Sequence, residues 1–221
     1  MSLRPADYAR MKLGVHKNWS PVAPAQRVAA APQKTLPPFA YSRVMPTPRV
    51  LGHNDLVGDC VPTGCCQAVQ TLLGRAGNFT PLSNDLPLAI YSEVTGYNPA
   101  EPNTDQGTDP NAMFDWWKQN AIAGYRLAGA TVIDIADYAL ESAVAENGFV
   151  CGVVALSLEQ QNQIDWTAAG TPGSWGMHFI VFDQYDGDTG FTKWGSSGWL
   201  DGSMFTQGFV QQLYVLELAQ A

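Results

Sequence analysis

The order of apolar patterns in this chain predicts an α+β fold, with a helical half over about 58–124 followed by an antiparallel β half over about 125–221. Two observations carry that expectation. As far as residue 124 the apolar residues recur at helical spacing behind recognisable helix starts. Beyond it, short runs rich in Val, Ile, Phe and Tyr alternate with tight turns. A third observation sets residues 1–49 apart, because they show no periodic apolar spacing and hold eight prolines.

Proline at that density blocks long helices and favours extended chain, so 1–49 reads as an extended arm with room for one short helix over 7–15. The arm is basic, with eight Lys/Arg against Asp7 alone, whereas residues 50–221 hold four Lys/Arg against nineteen acids. Such a body has little with which to neutralise phosphates, so nucleic-acid binding is not expected of it. The arm is expected to gain order by contact, either across its own acidic body or on a neighbouring subunit or particle. The chain is 46% hydrophobic and 14% charged, enough for a sizeable core. No apolar run approaches the length of a membrane span, and Met1 to Tyr8 lack the apolar stretch of a signal peptide.

The elements follow in order. A glycine-punctuated loop, Arg49 to Gly58, leads into a helix from Cys60 to about Leu73, stopped near Gly74 and Gly77. A second helix spans about Leu86 to Val94 and ends at Gly96. A turn-rich loop from Asn98 follows, and Asp109-Pro110 then opens a third helix reaching about Ala121, with Asp as N-cap and Pro at the first helical position. In the second half Tyr125–Ile135 reads as a strand, 136–146 as a helix closed by Asn147-Gly148, and Phe149–Leu158 as an apolar strand. His178–Tyr185, Phe191–Trp194 and Phe209–Leu218 complete the strands, with a turn at Asp186–Gly190.

The chemistry concentrates at Cys60. Pro62 is tolerated only in a helix's first turn, so Cys60 stands at a helix N-terminus, where the dipole and free N–H groups favour a thiolate and lower the thiol pKa. Cys65 falls on the apolar side of the same helix, and Cys65 and Cys66 are expected to pack as small hydrophobes. The four cysteines form no CxxC pair and meet no histidine cluster, so neither a metal site, a cofactor nor a disulfide framework is expected. Of the three histidines, His16 lies in the arm, His53 flanks Asn54, and His178 opens a strand, which makes His178 the candidate base.

Taken in order, these residues resemble the papain-like cysteine peptidases. The amide of Asn54 stands six residues before Cys60, where that family carries its oxyanion amide. Gln106-Gly107-Thr108-Asp109 resembles the glycine-bearing substrate loop, His178-Phe179-Ile180-Val181 the strand that begins at the catalytic histidine, and Thr192-Lys193-Trp194-Gly195 the Asn-x-Trp-Gly turn. The match covers about 50–221 and is closest in character to bacteriophage and bacterial members. It implies a cleft between the two halves. Cys60 and His178 would form the catalytic pair, Asn54 would lie in the oxyanion hole, and Thr192 would take the place of the orienting asparagine. Gly107, Met177 and Trp194 would line the substrate site.

Two positions depart from the pattern. Val61 follows the nucleophile in place of tryptophan, and Thr192 has less reach than asparagine; Asp183, five residues after His178, is the alternative third member, although its odd offset points it to the other face. The resemblance implies a thiol hydrolase of peptide or amide bonds acting on a peptide or protein, without cofactor, in the cytoplasm or on a virion. A catalytically silent assembly protein of the same fold and a Cys–His acyltransferase or peptidoglycan amidase are the alternatives. The arm would then be either an inhibitory segment or a tether.

Overall fold

The computed structural model describes residues 11–23, 26–29, 39–40, 50–185, 189–193 and 196–221. Helices α1 (Cys60–Arg75), α2 (Asp85–Thr95) and α3 (Pro110–Gln119) form the first half, after a two-residue strand β1 (Phe39–Ala40). Strand β2 (Tyr125–Ile133), helix α4 (Asp137–Asn147), strands β3 (Val150–Leu156), β4 (Gly176–Tyr185), β5 (Thr189–Lys193) and β6 (Ser196–Leu200), the short helix α5 (Ser203–Thr206) and strand β7 (Val210–Gln220) form the second. The helical half thus precedes an antiparallel β half, as the residue patterns predict.

Local chemistry accounts for the helix ends. The Asp109 carboxylate accepts a 2.8 Å bond from the Asn111 N–H and Pro110 occupies the first position of α3. Gly96 and Gly148 close α2 and α4 in the left-handed region, at φ 75° and 85°, each donating its N–H back to the preceding turn.

The strands run β2-β7-β3-β4-β5-β6 across one antiparallel sheet, and β1 adds to β4. Strand β3 is buried at every residue because both faces of the sheet are covered. On one face α1 lays Cys65 and Val69 against Val153, Phe179, Val181 and Tyr214; on the other, Leu140 and Val144 of α4 meet Val150, Ile180, Phe182 and Leu213. Glycine at position 64 is a packing requirement, since a Cβ there would stand 2.5 Å from Phe179 Cδ1. Strand β6 and helix α5 have no counterpart in the sequence expectation, and β4 begins two residues earlier than His178.

Of the short helix expected over 7–15, residues 7–10 lie outside the described residues and 11–15 form no helix, with Val15 bridged to Thr108. The described arm lies on the body. Met11, Val15 and Trp19 are buried in its two cores, the Val22 N–H donates to Gln212, and Val28 exchanges hydrogen bonds of 2.8 and 3.2 Å with the edge strand β2. Val22 and Val28 are therefore bonded into the β half. Trp19→Ala should lower the unfolding free energy of the full chain by about 3 kcal/mol in a denaturant titration; a loss below about 0.5 kcal/mol would show the arm to be a surface attachment.

Candidate active site

Cys60 is the first residue of α1, buried, with Asp59 before it and Pro62 in the first turn. The backbone N–H groups of Phe179 and Gly14, together with its own, act on the Cys60 thiol to lower its pKa. Phe179 follows His178 directly, so the fold brings the helix start carrying Cys60 against the strand start carrying His178. His178 is buried and paired across the sheet with Val154. Along β4, Phe179, Val181 and Asp183 face α1, while His178 shares the alternate parity of Ile180 and Phe182.

The second N–H comes from the arm. Residues 12–16 cross the cleft as a segment bridged to Thr108 at Val15. The Gly14 carbonyl accepts from Thr108 N–H at 2.6 Å, His16 N–H donates to the Thr108 carbonyl at 3.0 Å, and Val15 N–H donates to the Met177 carbonyl at 3.4 Å. Upstream, the Lys12 N–H donates to the Asn54 carbonyl at 2.5 Å and its ammonium lies 3.8 Å from the Asp105 carboxylate. The passage is so narrow that a Cβ on Gly14 would lie 2.0 Å from the Gly58 carbonyl oxygen. One on Gly107, whose φ is +75°, would lie 2.6 Å from the Gly14 oxygen. Gly107 and Met177 therefore stand on opposite walls of a cleft that holds a peptide segment, the chain's own.

Asn54 is buried in the loop before α1. Its amide donates both hydrogens internally, to the Leu51 carbonyl at 2.7 Å and to Thr63 Oγ1 at 3.2 Å. In this conformation it ties the loop to the first turn of α1. Thr192 is displaced from the role that the resemblance implied. It pairs with Val181, three residues past His178 and so about 10 Å along the strand, and its hydroxyl donates to Asp183 Oδ2 at 3.1 Å. Asp183 also accepts from Thr71 at 3.4 Å and belongs to that buried polar cluster under α1. Trp194 lies outside the described residues.

The electrostatics also depart from expectation. The Cys60 thiol is pushed up to about 12, because burial outweighs the backbone N–H groups of Phe179, Gly14 and Cys60 itself, and the adjacent Asp59 adds to the rise. Cys65, Cys66 and Cys151 are likewise buried free thiols raised by desolvation, as packing residues would be. Asp59, fully buried, is raised to about 7 by burial, although Oδ2 accepts the His53 N–H at 2.9 Å. It occupies the N-cap position of α1 yet makes no cap bond with its side chain. Among the described residues there is no cluster of three or more metal-ligating side chains, and no helix is long and apolar enough to cross a membrane.

No family model matches the sequence, and no curated protein matches it. Solved structures do. Digestive procathepsin L 3 of the Tenebrio molitor larval midgut superposes with a TM-score of 0.64 at 14% identity, over 96% of this chain and 77% of its own. Xylellain, a cysteine protease from Xylella fastidiosa, gives 0.64 at 12% identity, over 98% and 99%. A recombinant stem bromelain precursor gives 0.63 at 10%, over 97% and 80%. The fold is therefore that of the papain-like cysteine proteases. None of these three is a phage particle component, so the virion association expected from the sequence gains no support from them.

Asp59 supplies a pH test. Its folded pKa of about 7 lies above its ordinary carboxylate value, so the stability it contributes is fully present in acid. That contribution is lost as pH rises from about 4 through about 7. Asp59→Asn keeps an acceptor for the His53 N–H and removes the charge. The melting temperature of the variant should exceed that of the parent by an amount that grows between pH 5 and pH 8; a difference independent of pH would show that Asp59 does not titrate in this range.

Proposed function

We propose that the chain is a thiol hydrolase of peptide or amide bonds, working through Cys60 and His178, and that its N-terminal segment holds it latent. The observation that carries this reading is the segment of residues 12–16, bonded through its main chain to Thr108 and Met177 and bearing on the buried Cys60 thiol through the Gly14 N–H. A groove that binds extended main chain from both walls above a helix-terminal cysteine is what a thiol peptidase requires.

The segment is held in place by main-chain bonds, from the Thr108 N–H to the Gly14 carbonyl and from the His16 N–H to the Thr108 carbonyl, which must break before a substrate can take its place.

With the segment withdrawn, Cys60 is no longer desolvated and the helix terminus favours its thiolate; His178, which has the parity of the opposite face of β4, forms the thiolate–imidazolium pair only if its ring turns into the cleft at the start of the strand. The thiolate adds to the substrate carbonyl, His178 protonates the leaving amine, and water then releases the acyl group. The backbone N–H of Cys60 and the amide of Asn54 are the oxyanion donors. Asn54 serves only by releasing Thr63 Oγ1, the longer of its two bonds. Gly107 and Met177 would then offer a substrate the main-chain groups that they and their neighbours now give the arm, and Trp194 would shield the histidine.

A catalytically silent assembly protein of the same fold is favoured by two observations: both Asn54 hydrogens are engaged within its loop, and the Thr192 hydroxyl is committed to Asp183. An acyltransferase or peptidoglycan amidase would use the same pair on another acceptor. Gly14→Val in the full chain separates latency from silence. A side chain at position 14 cannot fit against the Gly58 carbonyl, so the segment must leave the sulfur. Alkylation of Cys60 by iodoacetamide at pH 7 should rise at least tenfold, about 1.4 kcal/mol of lost cover by the thermal-energy relation. Hydrolysis of a mixed fluorogenic peptide library should appear and vanish with Cys60→Ser. Faster alkylation with no turnover of any substrate would favour the silent protein.

A further inference from the structure

A hydrogen-bonded chain in the helical half joins the two loops that grip the segment over Cys60. Asp105 Oδ1 accepts from the Gly58 N–H at 3.0 Å and from the Tyr91 hydroxyl at 2.7 Å, and the Tyr91 oxygen accepts from the Gly107 N–H at 2.9 Å. Gly58 lies two residues before Cys60, and Gly107 lies in the loop that brackets Gly14. The two glycines approach so closely that a Cβ on Gly58 would stand 3.4 Å from Gly107 Cα and 3.0 Å from Gly14 Cα. Every donor and acceptor in the chain is used in one direction, from amide to hydroxyl to carboxylate and from amide to the same carboxylate.

We propose that Tyr91 and Asp105 are positioning residues that clasp the nucleophile loop to the peptide-binding loop and so set the gap through which a main chain passes over Cys60. Tyr91 is suited to this task. It is buried on α2, its ring lies 5.0 Å from that of Tyr97, and burial together with the Asp105 carboxylate keeps its hydroxyl a donor by pushing its pKa up. The lips it joins are glycines, which have no side chain to hold them, so main-chain bonds must do so.

The clasp is also where the N-terminal segment is charged to the body. The Lys12 ammonium stands 3.8 Å from Asp105 Oδ2, the oxygen that the clasp does not use. One carboxylate thus serves the lips with one oxygen and the covering segment with the other. Substitutions separate the two duties. Tyr91→Phe removes only the hydroxyl that links Gly107 to Asp105. Asp105→Asn keeps an acceptor oxygen for Gly58 and Tyr91 and loses the charge that faces Lys12.

The consequence for catalysis rests on the hydrolase reading above, while the clasp is a statement about two loops, and the experiment separates them. In the full chain, amide hydrogen exchange at Gly58 and Gly107 is followed by NMR. Tyr91→Phe should speed exchange at Gly107 at least tenfold and at Gly58 as well. Asp105→Asn should leave both protected, yet raise Cys60 alkylation by up to about fivefold, since an exposed ion pair contributes little. In the Gly14→Val chain, Tyr91→Phe should raise KM for peptides about tenfold with kcat within about threefold, a split that simple loss of stability does not produce. Should Tyr91→Phe fail to fold, Asp105→Ala, which frees Gly58 from the same chain, is read by the same exchange. Unchanged exchange at Gly58 and Gly107 in the readable variant overturns the clasp. Faster exchange in a protein that cleaves nothing in any background leaves the clasp standing and removes the hydrolase reading.

Discussion

Three glycines meeting beside one sulfur are the constraint on which this molecule turns. Gly14, Gly58 and Gly107 come from the arm, the loop before α1 and the loop before α3. At Gly14 and Gly107 the main chains pack at distances that no Cβ permits, and at Gly58 a Cβ would be tight against Gly14. That closeness lets the Thr108 and Met177 main chains bond the crossing segment from both sides, and it lets the Gly14 N–H reach Cys60. A side chain on any of the three would open the gap, and with it the cover over the nucleophile, the parallel bridge at Val15 and the approach of Lys12 to Asp105.

The state of Cys60 is a contest decided by magnitude. A helix terminus and neighbouring backbone N–H groups lower a thiol pKa, and full burial raises it; here burial prevails and the thiol is neutral. The chemistry expected of the residue is therefore a property of the uncovered molecule. A single displacement of main chain both admits substrate and restores the solvation that ionises the sulfur, so access and activation are one event.

Much of the fold was legible because it is written in local chemistry. Pro62, Asp109-Pro110 and the closing glycines at 96 and 148 mark their helices whatever surrounds them, and the apolar run Val150–Leu156 reads as a central strand. Cys60 at a helix start was legible for the same reason. The position of Thr192 was not, because the β4–β5 register that pairs it with Val181 includes a shift between Phe182 and Gln184 that residue spacing does not disclose. The path of the arm was hidden as well. Its hold on the cleft combines main-chain bonding and glycine contact with the buried side chains of Met11 and Val15, a run too short to stand out among the prolines around it. Tyr91 and Asp105 looked like a helix residue and a turn former, and only the fold shows that they share a hydrogen bond. Trp19, Met11 and Val15 carry a signal of their own, since apolar side chains in the arm need a core to enter.

The central claim is that the strand through Gly14 covers Cys60 in the native chain, and a comparison of two rates tests it directly. Under conditions where opening is rapid and reversible, the slowing of Cys60 alkylation relative to an unstructured thiol of matched ionisation reports the free energy of uncovering, as does the protection of the Gly14 amide from hydrogen exchange. The account predicts that the two factors agree within about threefold, because one opening exposes both groups. Rapid alkylation of Cys60 beside a strongly protected Gly14 amide would contradict it, since the sulfur would then be open to solvent with the strand in place.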